Sequence, residues 1–176
     1  KKSGHQIALI GFTREELGGT EYLKVMFDCS EGKPPVLDRK KEKKVQSFCR
    51  ELIQKDLISS AHDCSEGGLA VAIAESCFSP GCETLGASLM IESTLRNDSL
   101  LFGETQSRIV ISFSKEQINE IKGLAKDFSI DFSLIGIVGG SHLTITINGK
   151  EVVKQEIELL KEIWKNSLGN YARQTT

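Results

Sequence analysis

No apolar run in this chain approaches the roughly 20 residues needed to cross a bilayer, and its N-terminus has no signal-peptide core, so no membrane is expected as a partner. Charge of one sign is missing as well. The 22 basic and 24 acidic residues leave a net charge of −2, which gives no bulk attraction to nucleic acid, so any phosphate must be held locally. Cys29, Cys49, Cys64, Cys77 and Cys82 are odd in number and lack CxxC spacing, and His5, His62 and His142 pair with none of them at ligand spacing. No zinc site is expected, and the thiols read as those of a reduced, cytoplasmic protein. Cys64 falls near an expected helix start, yet nothing supplies the base, orienter and oxyanion hole of nucleophilic catalysis. There is no internal repeat or low-complexity segment. The chain opens on Lys1 rather than Met, so a piece of a longer protein is expected.

What is present centres on Ile58 to Phe78 (ISSAHDCSEGGLAVAIAESCF). A short run reaches His62 and Asp63, breaks at Ser65, Glu66, Gly67 and Gly68, then enters an apolar segment with helical spacing. That pattern predicts a strand, a loop and a helix start, where unpaired first-turn N–H groups attract phosphate or carboxylate. Two readings of the loop stand level. In one, Ser65 is an N-cap and the glycines merely form the loop. In the other, the glycines let a ligand reach the backbone while Asp63 or Glu66 holds a hydroxyl or Mg²⁺. His62 reads as a structural hydrogen-bond partner of Asp63 before it reads as an acid–base group. No Gly-Lys-Ser/Thr follows, so this is not a Walker loop.

The 176 residues fit one domain, or one domain plus a fragment, and suffice to bury a real core. Gln6 to Ile10 (QIALI) predicts a strand with too little sequence before it to supply a sheet, so residues 1–31 are expected to be the tail of a preceding domain, with Gly32 to Pro35 (GKPP) as linker and 32–176 as the domain proper. From Leu37 to Lys55, Val45, Phe48, Cys49, Leu52 and Ile53 recur at helical spacing behind Asp38 as N-cap; the Arg39 to Lys44 run (RKKEKK), broken by Glu42, reads as solvated first turns. Leu57 to Ala61 predicts a strand, and the helix after it, with Leu69, Ala72, Ile73 and Cys77 as its stripe, ends by Ser79, Pro80 and Gly81.

Leu85 to Ile91 predicts a strand, Asn97 to Phe102 a loop, and Ile109 to Phe113 another strand. The polar Gly103 to Arg108 segment between apolar runs is equally a site edge or an ordinary turn. Ser114 and Gln117 form a capping box for a helix with Ile118, Ile121, Leu124, Ala125 and Phe128; Phe132 to Val138 is a strand; Asn148-Gly149 predicts a type I′ hairpin. A last helix from Lys154 to Leu168 carries Trp164 and ends at Gly169, with Trp164 and the phenylalanines in the core. The class is α+β, a mixed sheet with helices packed on it.

Three segments, Leu17 to Leu23 (LGGTEYL), Ser60 to Ala74 (SAHDCSEGGLAVAIA) and Leu101 to Arg108 (LFGETQSR), resemble phosphoribosylformylglycinamidine synthase, in particular the C-terminal domain of its second half, within the aminoimidazole ribonucleotide synthetase-like superfamily. The resemblance runs along essentially the whole chain. It implies an ATP-dependent C–N ligase of purine biosynthesis that turns formylglycinamide ribonucleotide, ATP and glutamine-derived ammonia into the amidine, ADP and phosphate. In the family's first half the segment matching Glu104-Thr105-Gln106 contacts the ribonucleotide, with Thr105 here in place of Ser. By position it implies ligand or phosphate binding by His62, Asp63, Ser65, Glu66, Gly67, Gly68, Glu104, Thr105 and Gln106, with no catalytic residue and no metal ligand in this piece. ATP and Mg²⁺ are implied as cofactors held mostly by other domains. The implied partners are the rest of the synthetase chain and a glutaminase subunit with a small bridging subunit, or a fused glutaminase domain. The alternatives are a free-standing nucleotide- or phosphate-binding regulatory module, or a domain of a related kinase or selenophosphate synthetase.

Overall fold

The computed structural model describes residues 1–78 and 84–174, and side chains as far as residue 167. In chain order the elements are β1 (Gln6–Ile10), α1 (Glu21–Phe27), α2 (Arg39–Gln54), β2 (Ser60–Asp63), α3 (Gly68–Cys77), β3 (Ala87–Ile91), α4 (Asn97–Phe102) and β4 (Ile109–Phe113). A 3₁₀ turn (Lys115–Gln117) then leads into α5 (Ile118–Asp127), β5 (Phe132–Val138), β6 (His142–Ile147), β7 (Lys150–Glu156) and α6 (Ile157–Gln174). The strands form a single mixed sheet in the order β2-β4-β1-β5-β3-β6-β7. β3 and β6 run parallel; the other described pairs are antiparallel.

The run QIALI is apolar on both sides because β1 lies third in the sheet, hydrogen-bonded to β4 and β5, with both faces covered. Ala8 and Ile10 join Val45, Phe48 and Leu52 of α2, Ile111 and Phe113 of β4, and Ile121 and Ala125 of α5. Ile7 and Leu9 point the other way, into the core that Leu69, Ala72 and Ile73 of α3, Leu100 and Leu101 of α4, and Ile157 of α6 complete. Residues 1–31 are therefore not the tail of another domain: β1 finds its sheet within this chain. The stretch holding Pro34 and Pro35 connects α1 to α2 rather than two domains.

Several local expectations fall where they were read. Asp38 accepts from Lys40 N and Lys41 N (2.9 and 3.1 Å) at the start of α2, the Ser114–Gln117 capping box forms, and Asn148 and Gly149 both take positive φ (49° and 76°) between β6 and β7. Others shift. β2 begins at Ser60, not Leu57, because its pairing with β4 runs from Ser60↔Ser112 to Asp63↔Ile109. Asn97–Phe102 is a short helix. α1 forms behind Thr20, whose Oγ1 accepts from Leu23 N and donates to Leu17 O. The last helix starts at Ile157, since β7 stays paired to β6 as far as Glu156, and it continues through Gly169.

Four apolar residues read as core or core-facing are not. Ile53, Phe27 and Phe12 are exposed, and Trp164 lies half out of the surface, its ring 5.8 Å from Phe78 and its Nε1 donating to Glu75 Oε1 at 3.1 Å. The expected helix stop at Ser79, Pro80 and Gly81, Cys82 and the side chain of Leu168 lie outside the described residues.

The two faces of α2 supply a stability test. Phe48→Ala, which empties a fully buried site between α2, β4 and α5, lowers the unfolding free energy by about 3–5 kcal/mol in urea titration. The exposed neighbour Ile53→Ala changes it by no more than about 0.5 kcal/mol; equal losses would show that α2 packs by another face.

Candidate functional site

Sheet pairing alone brings the two sequence motifs together. β2 and β4 are antiparallel with Asp63 opposite Ile109, so the turn leaving β2 (residues 64–67) lies beside the segment entering β4 (103–108). Cys64 N donates to Arg108 O at 3.0 Å and extends the ladder one step into the loops. Glu42, Val45 and Gln46 of α2 close the third side. The result is an open cleft of about 450 Å³ that Asp63, Ser65, Glu66, Glu104 and Gln106 line together with Glu42, Gln46, Ser107 and Arg108.

Arg108 fixes this wall. Only 2 % of it is exposed, and its fork donates to Thr105 O (Nε, 2.9 Å), Thr13 Oγ1 (Nη1, 2.9 Å) and Gly103 O (Nη2, 2.5 Å). Burial pushes the guanidinium pKa down from its ordinary value, while the nearby Glu16 and Glu104 favour its charged form. Thr105, also buried, accepts from Arg14 N through Oγ1 at 3.1 Å, so its hydroxyl serves the β1–α1 connection and does not line the cleft.

The start of α3 differs from the expected serine cap. Ser65 Oγ donates to Asp63 Oδ2 instead, and the N-cap is Gly67 in the left-handed region (φ 77°) with no side-chain cap of its own. Gly67 N donates to Glu104 Oε1 at 3.0 Å. Gly68 also has positive φ (69°), and a Cβ there would stand 2.6 Å from Gly103 O and 2.9 Å from Leu101 O. The glycine therefore serves close packing of α3 against the end of α4, not ligand approach. Neither Gly67 nor Gly68 lines the cleft, and His62 does not either: its Nδ1 meets Asp63 O at 2.7 Å and its Nε2 stands 3.6 Å from Glu75 Oε2.

The lining is acidic. Glu42, Asp63, Glu66 and Glu104 face a single buried guanidinium. Glu42 Oε2 accepts from Ser107 Oγ and its Oε1 from Gln46 Nε2, both at 2.6 Å. The Asp63 carboxyl is held below the usual carboxylate range, first by the Ser65 hydroxyl and less by its own backbone and the His62 ring, against the opposing effect of burial. Such a surface suits a ligand's hydroxyl, amine or amide N–H groups and repels a bare phosphate. Among the described residues no group of three or more His, Cys, Asp or Glu is placed to hold a metal ion. Burial raises the Cys64 thiol to about 11, which removes it from chemistry near neutral pH.

Glu42 and Gln46 lie outside both motifs, and Ser107 and Arg108 lie within the Gly103 to Arg108 segment but outside the residues read as ligand-binding. Glu42 had a signal: it interrupts a basic run three residues before Val45, which places it on the inward edge of α2.

Residues 2–148 match the family model described as AIR synthase related protein, C-terminal domain. Among curated proteins, the phosphoribosylformylglycinamidine synthase subunit PurL of Moorella thermoacetica is 40% identical over 168 residues, and that of Alkaliphilus metalliredigens 41%. Each match covers 96% of this chain and 22% of the relative, so the chain spans about a fifth of their length. Among solved structures, Thermotoga maritima PurL complexed with FGAR superposes with TM-score 0.76 at 20% identity, and the same protein complexed with ATP with 0.71 at 19%. These cover 91% of this chain and 28% and 26% of theirs.

Two measurements test the loop. Gly68→Ala destabilises the fold by at least about 1 kcal/mol, from left-handed strain alone, and an unchanged melting temperature would contradict the close packing. Because the folded pKa of Asp63 is depressed, the stability it confers is complete above the unfolded value of about 3.9 and is lost as pH falls through the lower folded value. Ser65→Ala returns the Asp63 midpoint upward toward 3.9 in an NMR titration; an unmoved midpoint would show that the hydroxyl is not the cause.

Proposed function

The chain belongs to the AIR synthase related family of C-terminal domains, and from that premise we propose that it serves as the C-terminal domain of an ATP-dependent C–N ligase converting formylglycinamide ribonucleotide, ATP and glutamine-derived ammonia into formylglycinamidine ribonucleotide, ADP and phosphate. The observation that carries the proposal is the near-complete match, 40% identity across 96% of the chain, to synthase subunits of that name. In this reading the 450 Å³ cleft is one wall of a ligand site. Asp63, Ser65, Glu66 and Gln106 accept from and donate to a ligand's sugar hydroxyls or amide groups, and the phosphates lie away from this acidic wall. ATP and Mg²⁺ are bound mainly by residues of the larger protein. Ammonia comes from a glutaminase, either a separate subunit with a small bridging subunit or a fused domain, and the assembly works in the cytoplasm. In this reading the 176-residue chain alone turns over no substrate, because the chain matches only 22% of the synthase subunit and the rest of the site lies on the larger protein.

A chimera tests this. Set in place of the matching fifth of the Moorella subunit, the chain supports ATP-dependent amidine formation from formylglycinamide ribonucleotide and ammonium. In that chimera Glu66→Ala and Gln106→Ala each lower kcat/KM for the ribonucleotide about tenfold, the loss of one hydrogen bond of about 1.4 kcal/mol. A folded but inactive chimera, or turnover by the 176-residue chain alone, overturns the proposal.

A further inference from the structure

The helix start that invites an anion already holds one. Gly67 N at the start of α3 and Glu21 N at the start of α1 are donors with no partner in their own helices, and both point to the same atom, Glu104 Oε1, each at 3.0 Å. The three residues are remote in sequence, so the one carboxylate ties three segments together. Its placement is set from both sides. Arg108 binds the carbonyls of Gly103 and Thr105, which flank Glu104, and Thr105 Oγ1 is held by Arg14 N. The missing Cβ of Gly68 lets Gly103 O lie against α3, bringing the donor within reach.

We propose that Glu104 is the internal anion of this site: a positioning residue that fills the helix starts of α1 and α3 and sets the shape of the 64–67 loop, rather than a contact for phosphate. The bonds are charge-assisted, which makes them stronger than neutral ones, and the partial positive charge of the α3 start adds to them. A phosphate arriving there meets occupied donors and a like charge. The inference goes beyond the proposed reaction and holds whatever the ligand is, so an inactive chimera would leave it standing.

Amide hydrogen exchange by NMR on the 176-residue chain tests it. Glu104→Ala speeds exchange of both the Gly67 and the Glu21 amides about tenfold, as expected for a lost hydrogen bond, while Ile111 and Leu89 in the sheet stay within about twofold. Glu104→Gln keeps an acceptor at Oε1 and retains most of the protection; Glu104→Asp, one methylene shorter, loses it. Should the alanine variant lose protection across the sheet as well, the Gln and Asp pair decides the matter by the same two amides. In the wild-type chain, inorganic phosphate up to about 50 mM, far above the concentration that fills a specific site, leaves both amide resonances in place. Unchanged exchange in Glu104→Ala, equal protection in the Gln and Asp variants, or saturable phosphate shifts at Gly67 would overturn the proposal.

Discussion

Everything at the cleft depends on one constraint: a guanidinium taken out of water must have its donors matched. Arg108 meets it with two carbonyls from its own loop and a hydroxyl from the β1–α1 connection. That choice of acceptors fixes the path of residues 103–108 in a way a salt bridge to a single carboxylate would not. A carboxylate pairs with the charge; carbonyls at positions 103 and 105 pin the backbone on both sides of Glu104. The loop is thereby ordered without spending an acidic side chain on the arginine, and the Glu104 carboxylate is left to join α1 to α3.

What the sequence revealed follows the range of the physics involved. The hairpin at Asn148-Gly149 is set by the alternation of His142–Ile147 and by turn chemistry within a few residues, and the strands Ile109–Phe113 and Phe132–Val138 were legible close to their bounds as short apolar runs between turn residues. The place of Gln6–Ile10 was not, because its partners, Ile109–Phe113 and Phe132–Val138, lie far on in the sequence. Glu21–Phe27 and Asn97–Phe102 run for fewer than two turns and give little periodicity to read. The edge strand Lys150–Glu156 displaced the expected start of the last helix because pairing with β6 outweighed a helical pattern.

The candidate site was legible in its segments and not in its roles. Both motifs were singled out, and the sheet does bring Asp63, Ser65, Glu66, Glu104 and Gln106 to one cleft. Residue type then misled. Ser65 belongs to the N-cap set, yet its hydroxyl is drawn to Asp63 and the helix start is served from position 104. The paired glycines looked like room for a ligand; Gly68 gives that room to the carbonyls of Leu101 and Gly103. Thr105 kept the hydroxyl expected for a ligand and gave it to Arg14. In each case the competing partner comes from a segment distant in sequence, which local pattern cannot show.

Charge decides what this wall is for. The helix start of α3 alone argues for phosphate, but Glu104 occupies the Gly67 donor there, and Glu42, Asp63 and Glu66 add negative potential across the same opening. The one cation among the residues lining the cleft, Arg108, is buried and committed to two carbonyls and the Thr13 hydroxyl. A wall of this kind gains nothing from a phosphate and much from groups that donate hydrogen bonds. Under the proposed function these are the ribonucleotide's sugar hydroxyls and amide nitrogen, and its phosphate falls to residues of the larger protein. Division of a ligand's charge between two walls is a reason for such a domain to be joined to a larger protein rather than to act alone.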